Sequence, residues 1–294
     1  MKLALLGNCQ VGSVADSIEL LVPGTTVQRK LVSNNPSKLG AELRKCSKSK
    51  FDRVMIHDSV QNIISANSEL EGILPQETIV IPTVAFAAFQ PDIQYVFADG
   101  EVVKNGLKSD WNSRILVWSY ANKLTKAEAR KLFREDVYEA LGYFDEWSVS
   151  EETLSQSFTR YDFDFRRWMR AVQRSGVFMY GINHPVGISL TSLATQIVER
   201  EFSPKAKQVE DIHLLVTDYL SRIMWPVYPE IADELGIDGS LRWRVGRKYA
   251  HLDEFIDLCY QSWNAVGLDE SNAQLIPLLS ERDNVELLRL SGRG

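Results

Sequence analysis

The chain has 294 residues, 45% of them apolar, enough to bury a sizeable core in one large domain or two ordinary ones. A formal charge of −6 with no long basic block argues against nucleic acid as a partner. Three cysteines, Cys9, Cys46 and Cys259, make no disulfide framework and point to a reducing, cytoplasmic setting.

After Lys2, only the apolar residues 3–6 precede polar ones. That run is too short for a secretory signal, and no apolar run approaches the length of a membrane span. The same run predicts a strand buried on both faces. Val11, Val14, Ala15, Ile18, Leu21 and Val22 then share one helical stripe, so GNCQ (7–10) is the turn between strand and helix. Further strands are expected within 25–32, 51–57, 77–84 and 92–98, with a helix carrying Leu39, Leu43 and Cys46. This alternation predicts an α/β fold with an open, mainly parallel sheet, Rossmann-like or SGNH-like, over residues 1–120.

Beyond residue 120 the pattern turns mainly helical. Thr125 with Glu128 and Ser148 with Glu151 have capping-box spacing. The second helix is expected to carry Leu154, Phe158, Tyr161, Phe165, Trp168 and Val172 and to stop at Ser175-Gly176. The strand-like segment 177–183 is expected to return to the sheet. Three more helices are predicted through Leu190 and Ile197, through Ile212 to Ile223, and through Leu252 to Trp263. Residues 121–294 thus form a mainly helical part, expected to share one composite domain with the first.

In open α/β sheets ligands gather beyond the carboxyl ends of strands, where the GNCQ turn lies. Gly7 permits a backbone conformation closed to other residues, and a thiol at Cys9 near a helix N-terminus feels a positive partial charge that lowers its pKa. The amides of Asn8 and Gln10 are candidate oxyanion donors. The competing reading makes Cys9 a small buried residue, as Cys46 and Cys259 are expected to be on their apolar stripes.

A nucleophilic thiol needs a base, and the chain has four histidines. His184 follows a strand-like run, and Pro185 keeps it out of a helix; Asn183 beside it is a further orienting or oxyanion candidate. His57, at the end of another strand, is the second candidate. His213 and His251 begin charged helical segments and read as solvated or capping groups. No metal-ligand spacing occurs, and neither a P-loop nor a dinucleotide fingerprint is present. Basic clusters lie at Arg166, Arg167, Arg170 and Arg174, and at Arg242, Arg244, Arg247 and Lys248. The second is interleaved with Trp243 and Tyr249, a chemistry suited to an adenine ring and phosphates. Asp92, after Pro91, reads either as a group orienting a histidine or sugar hydroxyl or as a turn former.

With GNCQ after the first strand, IPTVAFAAFQPDIQYV at 81–96 and NHP at 183–185, the chain resembles the WcbI family of polysaccharide biosynthesis proteins over roughly its first 200 residues. The resemblance implies a bacterial enzyme with coenzyme A or acetyl-coenzyme A as cofactor. The implied acceptor is an activated sugar or capsule precursor, and the implied activity is O-acetylation of a capsule sugar. Its GNCQ and NHP motifs put Cys9 and His184 forward as the catalytic pair; Gly7, Asn8, Gln10, Asn183, His57 and Asp92, on their own positions, are the candidates around them, and Arg242, Arg244, Arg247 and Lys248, beyond the stretch of resemblance, are the candidates for the cofactor. The opening turn is also similar to that of SGNH hydrolases, with Cys9 in the place of their serine. Their late Asp-x-x-His is absent, which leaves His184 as the motif histidine. Two further readings stand beside it: a cysteine-dependent esterase or deacetylase, which would share Cys9 and His184, and a non-catalytic binding subunit of a capsule assembly complex, which would need neither.

Overall fold

Residues 3–6 are all buried, so β1 (Lys2–Gly7) is an interior strand with neighbours on both sides. It pairs in parallel with β2 (Thr26–Leu31) and with β3 (Arg53–His57), and β3 pairs in parallel with β4 (Ile79–Ile81), giving the order β2-β1-β3-β4. Helices α1 (Val11–Leu21), α2 (Pro36–Ser47) and α3 (Asp58–Ser65) connect or follow these strands. Ala4, Leu6, Val54 and Ile56 from the sheet bury against Leu39, Leu43 and Cys46 of α2 and Val60 and Ile64 of α3. Alternate residues Leu3, Leu5 and Met55 are buried on the opposite face, and α1 packs against the later helix Gly187–Phe202. The chain leaves β1 toward β2 on one side and returns to β3 on the other. The loops beyond β1 and β3 therefore part, which is where such sheets open a ligand crevice.

This computed structural model describes residues 1–33, 35–47, 51–202, 209, 211–268 and 280–293. They form two units, each drawn from separate stretches. The first comprises Met1–Ala85, Glu151–Met179 and Asn183–Ser221; the second comprises Phe86–Ser150, Tyr180–Ile182 and Arg222–Gly294. The boundary expected near residue 120 falls inside the second unit.

Several predicted elements take a different form. The run 92–98 does not extend the parallel sheet: Ile93–Tyr95 pairs antiparallel with Trp111–Ser113, and Phe97–Ala98 with Glu101–Val102. The strand at 177–183 shortens to Met179–Gly181 and pairs with His184–Pro185 instead of joining the main sheet. Ser148 lies inside a helix running from Glu146 to Arg160, so it caps nothing. The single long helix expected to reach Ser175 breaks at 161–164, where Asp162 takes a positive φ of 61° and Asp164 caps a second helix, Phe165–Val172, through the Arg167 N–H. The helix expected over 212–223 ends at Leu215. Beyond it Asp218 folds the backbone into a local turn, its Oδ1 accepting the Leu220 N–H and its carbonyl the Ser221 hydroxyl. The capping box at Thr125 and Glu128 is present, on the short helix Lys126–Arg130. The mainly helical later part also holds an antiparallel sheet of Ile223–Met224, Arg242–Val245 and Lys248–His251.

The second unit is organised around Asp92, which is fully buried. Its Oδ1 accepts the Tyr143 hydroxyl at 2.7 Å and the Ile115 N–H at 3.0 Å, and its Oδ2 accepts the Tyr228 hydroxyl at 2.6 Å. Burial pushes the Asp92 carboxyl above its ordinary value and these bonds oppose the shift; both phenols are held well above theirs, so they remain donors. The expectation that Asp92 orients a histidine or a sugar hydroxyl is therefore corrected: its oxygens serve tyrosines and backbone inside the core of its own unit. Asp92→Ala strands these buried donors, and we expect a loss of more than about 3 kcal/mol in urea unfolding, with Asp92→Asn between it and wild type.

Candidate active site

The opening turn is shaped by an imidazole. A Cβ placed on Gly7 would lie 2.3 Å from Nδ1 and 2.6 Å from Cγ of His57, so only glycine fits where β1 ends beside β3. The Asn8 N–H points to His57 Nδ1 at 3.4 Å, and Asn8 Oδ1 accepts the Gln10 N–H at 3.0 Å, fixing the turn that starts α1.

Gln10 is fully buried and its carboxamide is wholly engaged. Its Oε1 accepts the Val84 N–H at 3.0 Å, and its Nε2 donates to the carbonyls of Val84 at 2.7 Å and Asn183 at 3.0 Å. One side chain thus fastens the GNCQ turn to the strand exit after β4 and to the NHP loop. The expectation that the Gln10 amide donates to an oxyanion is corrected, because both amide hydrogens are spent on backbone carbonyls. Asn183 enters the same clamp through its carbonyl.

Cys9 sits half-buried in this turn. Burial is the largest influence on its thiol and pushes the pKa above the ordinary value, opposite to the lowering expected from a helix N-terminus. Cys46 and Cys259 are buried, as their apolar stripes predict.

His57 has no exposed surface and sits at the carboxyl end of β3, opposite Ile81 of β4. With Nδ1 facing an N–H, the neutral ring carries its proton on Nε2, a buried donor with no partner among the described residues. Burial depresses its pKa to about 4, opposed by the Asp58 charge. Asp58 accepts the Thr83 N–H at 2.9 Å and the Ser157 hydroxyl at 2.5 Å, which anchors the segment after β4. His184 is half-buried, and burial lowers its pKa to about 4 against the charge of Asp218. Both imidazoles are neutral at pH 7. Neither Asp58 nor Asp218 had a role in the sequence reading, because the partners of the Asp58 carboxylate are 25 to 99 residues away and the Gly187 N–H that Asp218 accepts is 31 away. The sequence signals available were an acid directly after a strand and an acid interrupting an apolar helical stripe.

In the first unit Gly7 and Asn8 thus meet the His57 ring, and Gln10 ties the turn that holds Cys9 to the loop that holds Asn183 and His184. Arg242, Arg244, Arg247 and Lys248 lie on an antiparallel hairpin of the second unit. Trp243, expected to stack on an adenine ring, is buried with its ring 4.3 Å from Phe255 and nearly parallel to it, so it is core; Tyr249 is exposed. On the other basic helix face, Arg167 pairs with Glu199 at the surface. His213 lies in the short helix Ile212–Leu215, and His251 precedes Leu252–Ala265. Among the described residues no cluster of metal-ligating side chains occurs, and no helix is long and apolar enough to cross a membrane.

The family model of the polysaccharide biosynthesis enzyme WcbI matches residues 2–201. The chain is similar in structure to WcbI, solved as the native protein without a disulfide bond between coenzyme A and one of its cysteines. The identity is 12%, the TM-score 0.64, and the match covers 99% of this chain and 94% of that one. No curated protein sequence matches.

Two outcomes test this geometry. A histidine held neutral stabilises the fold fully above its ordinary pKa of about 6.5 and loses that contribution as pH falls toward its folded value. For His57 the loss is about 3 kcal/mol between pH 6.5 and 4, and denaturation profiles of His57→Gln should be flatter over that window. Gly7→Ala should cost about 1–3 kcal/mol, and adding His57→Ala should recover part of it by removing the ring that the new methyl meets.

Proposed function

Because this chain belongs to the WcbI family of polysaccharide biosynthesis enzymes, we propose that it is a coenzyme A-dependent acetyltransferase acting on a sugar hydroxyl in capsule biosynthesis. The observation that carries the reading is the Gln10 clamp, which joins the Cys9 turn to the loop of His184 at the carboxyl ends of β1, β3 and β4. A half-buried thiol and the buried Nε2–H donor of His57 fit the thioester end of such a cofactor, one sulfur against another and a donor for a carbonyl oxygen. As its acetyl thioester, coenzyme A would supply the activated acyl group.

His184 takes the proton from the sugar hydroxyl. At neutral pH its ring is unprotonated and ready to accept, though a pKa of about 4 makes it a weak base whose effect depends on placement. Cys9 has two routes open to it. In one, Cys9 would give its proton to His184 and take the acyl group, His184 would pass that proton to the departing coenzyme A sulfur and, free again, take the sugar hydroxyl proton as the sugar displaces Cys9; in the other, Cys9 lines the site while His184 serves direct transfer. The raised thiol pKa means that the first route needs the base, since little thiolate forms unaided.

Coenzyme A at a hundredfold excess over its Kd should stabilise the protein by about 2.7 kcal/mol, read as a rise in Tm. His184→Ala should lower kcat by about 10²- to 10⁴-fold with the fold intact. In Cys9→Ala, loss of transfer with an acylated Cys9 seen by mass spectrometry in wild type supports the covalent route; retained transfer supports the direct one. No response to coenzyme A, together with hydrolysis of acetyl esters, would turn the reading to a hydrolase.

A further inference from the structure

We propose that Asp218 is the positioning residue of His184, completing a Cys9–His184–Asp218 arrangement whose acid lies after the histidine in the chain; this rests on reading His184 as the base. The family-like hydrolase order has no counterpart here, since no Asp-x-x-His precedes Pro185. The fold supplies the carboxylate from the segment that follows the short helix Ile212–Leu215.

That segment is held from two sides. Its Thr217 carbonyl accepts the Ser13 hydroxyl at 3.1 Å, and the Tyr219 ring lies over Gly12, where a Cβ would come within 2.7 Å of Cδ2. The Tyr219 hydroxyl donates to Asp16 at 2.9 Å and receives a hydrogen bond from Arg29 at 3.2 Å. Residues 217 and 219 are thus docked on α1, the helix that follows Cys9. Between them, Asp218 Oδ2 accepts the Gly187 N–H at 3.2 Å, three residues beyond His184, and Oδ1 accepts the Leu220 N–H at 3.2 Å. Each carboxylate oxygen accepts two hydrogen bonds, so neither backbone bond excludes an imidazole.

The Asp218 charge raises the His184 pKa against the larger effect of burial. The site's other ionisable groups are Cys9 in the opening turn and His57 and Asp58 at the end of β3. Cys9 and His57 are uncharged at neutral pH, and the Asp58 carboxylate is bonded to Thr83 and Ser157. A fixed carboxylate there orients the ring and steadies the imidazolium that forms when His184 takes a proton.

The test is an NMR titration of the His184 ring in the full chain, a readout independent of whether His184 is catalytic. Asp218→Asn keeps the shape and one acceptor but removes the charge. We expect the His184 pKa to fall by about one unit or more, and Asp218→Glu to restore part of it. We also expect kcat to fall by about 10²-fold in Asp218→Asn with KM little changed. If the variant does not fold, the Asp218 carboxyl carbon in the wild-type protein still reports: its shift should inflect with the His184 titration. An unaltered His184 titration in a folded Asp218→Asn, or a carboxyl resonance blind to His184, overturns the proposal and leaves Asp218 as a backbone tie. A shifted titration with no transfer activity in the wild type would keep the pair while sinking the acetyltransferase reading.

Discussion

The first unit depends on one buried carboxamide. Gln10 meets the backbone of Val84 as a strand would, donating to its carbonyl and accepting from its N–H, and its second amide hydrogen goes to Asn183. A buried polar side chain left unpaired costs on the order of 1–3 kcal/mol, whereas one satisfied at every position fixes the spacing of whatever it joins. Here it joins three chain segments that are far apart in sequence, at positions 10, 84 and 183. The turn bearing the thiol, the exit from β4 and the loop bearing the imidazole are set relative to one another by this group before any ligand arrives.

Much of the architecture was legible because it is local. Residues 3–6 can be hydrophobic throughout only in a strand covered on both faces, and the stripe from Val11 to Leu21 has the period of a helix. Strand followed by turn and helix then placed GNCQ at a sheet's carboxyl edge. Gly7 was read as a residue of special backbone need, but the need proved to be space for His57, fifty residues away. An aromatic group pressing on a backbone leaves no periodic trace in either segment.

What was illegible follows the same logic. Whether the run at 92–98 pairs in parallel or antiparallel is decided by its partner at Trp111–Ser113, not by its own residues. Trp243 among arginines looked like a ligand platform, yet alternation along a strand put its ring inward onto Phe255. Asp92 looked like a turn acid or a site acid and became the acceptor for two tyrosines, Tyr143 and Tyr228, from distant parts of the chain. The thiol pKa was misjudged because burial, a property of the finished fold, outweighs the helix terminus, a property of local sequence.

The span of the Gln10 clamp also governs when the centre comes into being. Gln10 and its partners stand at positions 10, 84 and 183, so the last contact is not available until the ribosome has passed residue 183. Until then the nascent β1 turn carries a thiol without its imidazole and without the walls that raise its pKa. Assembly of the candidate site is thereby tied to synthesis past residue 183, and a shorter nascent chain holds the Cys9 thiol without the loop that the clamp brings to it.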